Sequence, residues 1–294
     1  MKEPGSSRRS GFPRLGLKSP WKTRRSPPAT RFVILASART GSNLLQGMLD
    51  SHEQVSCFGE LFNDSNPSHI QWNTSREIRA EDIALRDADP CGFLEQRVFA
   101  VPPHVRAVGF KLFYFHAVQG PWSAIWPYLR GMSGLRVLHL RRTNLLRKLV
   151  SERLAARTGK WWINRDEDAY CDVSIELGYD ECMGEFDSAR NYERDGLQRL
   201  AGQAVLDLTY ERLAAAPEIE ANRALEFLGV APQILQARIK RQLRDPLTKV
   251  VSNYSELAAR FAGTADAAFF DEPVAPPMPG AVLPQKPSQS CQSP

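Results

Sequence analysis

Ser37-Ala-Arg-Thr-Gly-Ser42 sets hydroxyl-bearing and small residues around a single arginine, directly after the apolar run Arg31-Phe-Val-Ile-Leu-Ala36. A short apolar, β-branched run predicts a buried strand. Asn43 to Ser51 predicts a helix with Leu44, Leu45, Met48 and Leu49 on one face. A strand, a small-residue turn and a helix N-terminus in that order make an anion site, because free backbone N–H groups and the helix dipole converge there. Gly41 lets the backbone approach a ligand, Thr40, Ser42 and Asn43 add side-chain donors, and Arg39 adds a permanent charge. Helix capping alone would account for the hydroxyls. Arg39 and Gly41 together favour a bound phosphate or similar anion. A Walker A loop, GxxxxGKS or GxxxxGKT, is absent.

A second stretch repeats the pattern. Leu135-Arg-Val-Leu-His-Leu140 predicts a strand that ends in Arg141-Arg142, and Ser151 lies along the helix marked by Leu145, Leu146, Leu149, Val150 and Leu154. Ligands of open α/β sheets gather at the carboxyl ends of strands, where such a pair can hold another phosphate. Capping of carbonyls or pairing with acidic residues is the alternative use of the two arginines.

The segment ILASARTGSNLL resembles the 5′-phosphosulfate loop of sulfotransferases that use 3′-phosphoadenosine 5′-phosphosulfate (PAPS). LRVLHLRRTNLLRKLVSERLA resembles their 3′-phosphate segment, and LTYERL with LEFLGV resembles their Tyr-Glu strand and Phe-Leu-Gly helix end. The likeness spans most of residues 31–260. It is nearest to bacterial carbohydrate sulfotransferases of the trehalose and Nod-factor type, where an arginine occupies the 5′ loop. It implies PAPS as co-substrate, held by Arg39, Thr40, Gly41, Ser42, Asn43, Ser151 and either Arg141 or Arg142. It also implies sulfuryl transfer to a hydroxyl of a sugar, glycolipid or related acceptor. Glu60, in Cys57-Phe-Gly-Glu-Leu-Phe-Asn63, is the general base that the resemblance points to, with His116 as its rival. Lys111 interrupts the apolar strand GFKLFYF, where a charge is costly unless it meets an anion or cleft water. The family often carries a lysine there, facing the active site; a snorkelling edge-strand lysine is the other reading. Arg241, Arg244, Lys249 and Asn253 resemble a loop closing over the nucleotide. No metal is required, since positioned cations and N–H groups can carry the charge of sulfuryl transfer.

Strands at 31–36, 105–115, 135–140 and 205–210 alternate with amphipathic helices, the last of them stopping at Gly229. That alternation predicts an α/β, P-loop-like three-layer fold with a central parallel sheet flanked by helices. Residues 160–200, acidic and aromatic, break the pattern and read as an inserted cap. The ends, 1–30 and 272–294, hold 12 of the 21 prolines and read as disordered arms around a domain at 31–271. Residues 1–30 carry eight basic side chains against Glu3, so the body is −2 where the whole chain is +5. A body of that sign predicts no specific nucleic-acid partner. Five cysteines without a CxxC pair, and histidines without HExxH, argue against disulfides and zinc. No apolar run is long enough to span a bilayer and no signal peptide is visible. The chain is therefore expected in the cytoplasm, with a homodimer left open. A non-catalytic nucleotide- or phosphate-binding protein and a P-loop kinase are the competing functions.

Overall fold

The computed structural model describes residues 28–66, 79–161, 173–235 and 245–271. The proline-rich tail and nearly all of the basic arm lie outside those residues, as do Cys171, Cys291, Arg241 and Arg244. The strands β1 (Thr30–Ala36), β2 (Val55–Glu60), β3 (Ala107–Phe113), β4 (Arg136–Arg141) and β5 (Ala204–Thr209) form one sheet in the order β2-β3-β1-β4-β5. Every pairing is parallel, and the register sets Ile34 of β1 between Lys111 of β3 and Leu138 of β4. The expected parallel α/β architecture is therefore present. Residues Phe32 to Ala36 are fully buried, as a central strand covered on both faces requires.

Helices α1 (Ser42–Asp50) and α8 (Pro217–Leu228) cover one face with Leu45, Met48, Leu49, Leu225 and Leu228. The other face packs against α4 (Ile125–Gly131), the short helices α2 (Ala80–Ala88) and α3 (Pro90–Phe93), and a π turn at Leu94–Val98. Phe62, Phe93, Phe110 and Trp122 meet edge-on at its centre.

The described part of the acidic, aromatic stretch is not a cap. It is α6 (Tyr179–Arg199), which packs along α5 (Leu145–Thr158) through Cys182 and Phe186. Arg153 of α5 reaches both Glu181 and Glu185, and Gly196 sits flat against the Tyr114 ring. α9 (Leu247–Val250) and α10 (Tyr254–Phe261) complete that third cluster.

The connection after β1 runs toward β2 and the one after β4 runs toward β5, in opposite directions from neighbouring strands. A crevice opens where strand order reverses in this way. It is lined by the two turns that the sequence singles out, after Ala36 and after Arg141.

Candidate active site

Among the described residues, only Arg39 (φ 64°) and Ala117 (φ 52°) adopt a positive φ without being glycine. A bulky residue held there costs on the order of 1–3 kcal/mol, and such strain concentrates at functional positions. Arg39 follows β1 at the crevice, and Ala117 is a buried residue directly after His116.

Arg39 stands in the turn after β1. Its Nε donates to Ser151 Oγ at 3.0 Å, and its guanidinium also donates to the Trp161 carbonyl. Thr40 Oγ1 donates to the Ser37 carbonyl at 2.8 Å and so braces the turn. Gly41, at φ 83°, ends the turn as the N-cap of α1, which has no side-chain cap. A Cβ on Gly41 would come within 2.7 Å of the Tyr210 ring, so glycine is needed for space as well as for φ. Ser42 is buried, and Asn43 accepts a hydrogen bond from Lys111 Nζ.

The two arginines after β4 separate. Arg142 is buried, donates to the Arg39 carbonyl at 3.2 Å, and lies over the Tyr210 ring at 4.4 Å. Arg141 shares its side of the strand with His139, since alternate residues face together. It sits within electrostatic reach of Tyr114, His139 and Glu193. Asn144 caps α5 by accepting from the Arg147 N–H, and the Glu211 carboxylate accepts the N–H groups of Thr143 and Asn144 at 3.1–3.2 Å. Tyr210 and Glu211 thus hold both turns. Their identification needs the packing of α7 (Tyr210–Ala215) against the crevice. The Tyr-Glu pair of LTYERL was the available sequence signal.

The second half of the site lies at the carboxyl ends of β2 and β3. Glu60 ends β2 beside a bulge at Phe58/Glu60, rather than lying on a turn. Lys111 is fully buried in β3, an interior strand, so it is no snorkelling edge lysine. Its Nζ donates to Glu60 Oε1 at 3.3 Å and to Asn43 Oδ1, joining the carboxylate to the first turn of α1. Burial pulls the lysine pKa below its ordinary value, and the Glu60 charge partly restores it. Asn63 donates to Glu60 Oε2 at 3.0 Å.

His116 meets the same carboxylate, with Nε2 4.0 Å from Glu60 Oε2. Its Nδ1 accepts from the Phe113 N–H, while the buried Nε2 has no hydrogen-bond partner. Burial lowers its pKa to about 4, against smaller opposing pulls from Glu60 and Asp64. The imidazole is therefore neutral near pH 7. Asp64 also accepts the N–H of the strained Ala117, fixing the turn that carries His116. The candidates for the base are thus neighbours.

Asn253 does not face the crevice. Its side chain accepts from Leu177 N–H and donates to the Leu177 carbonyl, tying α10 to the start of α6. Lys249 is exposed on α9. Among the described residues no three His, Cys, Asp or Glu side chains gather as a metal site would require. A hollow of about 440 Å³ beside Arg31, Glu95 and Tyr128 opens at the amino end of β1, away from this chemistry.

No family model matches the chain. It is 27% identical over 250 residues to Nodulation protein H of Rhizobium meliloti, covering 83% of this chain and 96% of the relative. To Nodulation protein H of Rhizobium tropici it is 29% identical over 252 residues, covering 83% and 94%. These matches bear out the resemblance to the Nod-factor type. A solved sulfotransferase from Alicyclobacillus acidocaldarius aligns at 18% identity and TM-score 0.45, covering 83% of this chain and 94% of the other. A sulfotransferase domain from the curacin biosynthetic pathway aligns at 15% and 0.42, covering 83% and 90%.

Proposed function

We propose that the protein is a PAPS-dependent sulfotransferase that sulfates a hydroxyl of a carbohydrate or glycolipid acceptor. One observation carries the reading. Two anion-binding motifs 112 residues apart meet across the crevice, Arg39 Nε to Ser151 Oγ at 3.0 Å, beside a carboxylate joined to the same α1 turn through Lys111. The similarity to nodulation proteins over 83% of the chain supports the oligosaccharide class of acceptor.

Bound there, the donor supplies the sulfuryl group and leaves as adenosine 3′,5′-bisphosphate. The α1 N-terminus, Thr40, Ser42 and Arg39 hold its 5′ end, and Ser151 with Arg142 holds the 3′-phosphate. Arg142 rather than Arg141 takes that role because it bonds the turn that carries Arg39. Glu60 accepts the proton of the acceptor hydroxyl as its oxygen bonds to sulfur and the bond from sulfur to the 5′-phosphate oxygen breaks. Lys111 holds the Glu60 carboxylate by a hydrogen bond and places positive charge beside Asn43, where the leaving oxygen gains negative charge. His116, 4.0 Å from Glu60, is the second reading for the base; taking a proton at Nε2 requires the tautomer protonated at Nδ1, which gives up the hydrogen bond from the Phe113 N–H.

No described helix is long and apolar enough to cross a membrane. The free thiols of Cys57, Cys91 and Cys182 support a reaction in the cytoplasm. A screen of labelled donor against sugars, glycolipids and phenols tests the activity. Transfer to sugars without added metal supports it. Nucleotide binding with no transfer to any hydroxyl makes the protein a non-catalytic binder, and magnesium-dependent ATP turnover makes it a kinase.

A further inference from the structure

Six large hydrophobic side chains are exposed among the described residues, and three are aromatic: Phe115 at 38%, Trp161 at 43% and Tyr192 at 46%. Val205, Ile219 and Ile234 are the aliphatic ones, on β5, on α8 and just beyond it. Phe115 and Tyr192 instead lie beside His116, and the Trp161 main chain lies beside Arg39. The Trp161 carbonyl accepts from Arg39. Phe115 directly precedes His116, and the two rings meet edge to face at 5.1 Å. Tyr192, from the facing side of α6, meets Phe115 edge to face at 6.0 Å. Inward, Phe113 lies 5.8 Å from Phe115 and 5.8 Å from Lys111 Nζ. A continuous run of rings therefore leads from the buried lysine and Glu60 to solvent.

We infer that Phe115 and Tyr192 are an acceptor subsite, a platform for the pyranose ring next to the one that is sulfated. The inference rests on the transferase reading, and it assigns the acceptor's shape as an extended carbohydrate. Exposed aromatic faces at a reaction crevice mark a binding surface. An aromatic face is electronegative and attracts the weakly positive C–H face of a sugar. The Tyr192 hydroxyl supplies the polar handle that a sugar hydroxyl needs. The two rings meet at 61° and carry one polar tip, the Tyr192 hydroxyl, an arrangement that suits alternating C–H faces and hydroxyls better than a long acyl chain. Glu60 and His116 would then engage the reacting hydroxyl at the inner end, with the rest of the chain lying outward over α6.

Calorimetric titration of cellotetraose, D-glucose and 4-nitrophenol into protein saturated with adenosine 3′,5′-bisphosphate tests this. Wild-type protein should bind cellotetraose more tightly than glucose. Phe115→Ala and Tyr192→Ser should each weaken cellotetraose at least tenfold and leave bisphosphate affinity within twofold, which also reports that the variants are folded. Phe115→Leu keeps apolar bulk without the ring and should lose as much as the alanine variant. No cellotetraose binding by the wild type, or variants within twofold of it, overturns the platform while bisphosphate binding still supports the transferase. Loss of 4-nitrophenol but not cellotetraose in the variants makes the subsite aryl-specific and overturns it too. A wild-type protein that fails to bind the bisphosphate overturns the transferase reading itself.

Discussion

Arg39 is strained, charged and bonded to Ser151, so its removal acts on both ends of the donor. Arg39→Ala should abolish most turnover and weaken the bisphosphate by about 1.5–3 kcal/mol, the range for charged hydrogen bonds. Unchanged turnover in a sulfate-transfer assay moves the 5′ site elsewhere. Glu60→Gln keeps the shape and the Asn63 contact but cannot accept a proton. Its kcat should fall on the order of 10²–10⁴-fold with bisphosphate affinity nearly constant. If His116→Asn is the crippling change instead, the base is the histidine. His116 also couples folding to pH. Its folded pKa of about 4 lies below the ordinary value of about 6.5. Between those values the unfolded chain binds a proton that the folded chain refuses. The stability from keeping His116 neutral is therefore complete above pH 6.5 and is lost as pH falls toward 4, by up to about 3 kcal/mol. Denaturant titrations across that range should show a shallower acid loss in His116→Asn than in the wild type. Equal slopes would remove the histidine from the account.

At the scale of elements, β1, α1, β3, β4, α5, β5 and α8 were legible because long apolar or amphipathic runs mark them. β2 was not. Val55-Ser-Cys-Phe-Gly-Glu60 is short and interrupted by Gly59, and it pairs on one side only, with β3. Glu60 therefore reads as a turn residue in sequence and as a strand end in the fold. Its meeting with Lys111 and His116 depends on the β2–β3 pairing, which no local pattern encodes. The α6 stretch reads as a cap in sequence because polar and charged residues dominate it and its buried stripe is only Cys182, Phe186 and Gly196. The anchors Tyr210 and Glu211 escaped a role for the same long-range reason. Glu211 satisfies two orphan N–H groups at the start of α5, so Glu211→Ala should loosen the turn that carries Arg142. A KM for the donor raised several-fold, with a smaller change in kcat and a loss of stability of about 1 kcal/mol, is expected. Donor kinetics identical to the wild type would limit Glu211 to helix capping.

At the scale of the whole molecule, a single parallel sheet brings together groups from four strand ends. Because the arm before it is proline-rich and polar, a chain beginning at Thr30 should keep its melting temperature and its transfer rate, in line with the domain reading of 31–271. Loss of folding on that truncation would make the basic arm part of the domain. The central claim is that two separate anion sites in one crevice read a nucleotide carrying phosphate on both its 3′ and 5′ positions. Metal-free calorimetric titration of adenosine 3′,5′-bisphosphate against AMP tests it most directly, because the two ligands differ by the one phosphate assigned to Ser151 and Arg142. The bisphosphate should bind about tenfold to several hundredfold tighter. That preference should shrink in Ser151→Ala while AMP affinity stays level. Equal affinity for the two nucleotides would contradict the donor site and the transferase with it.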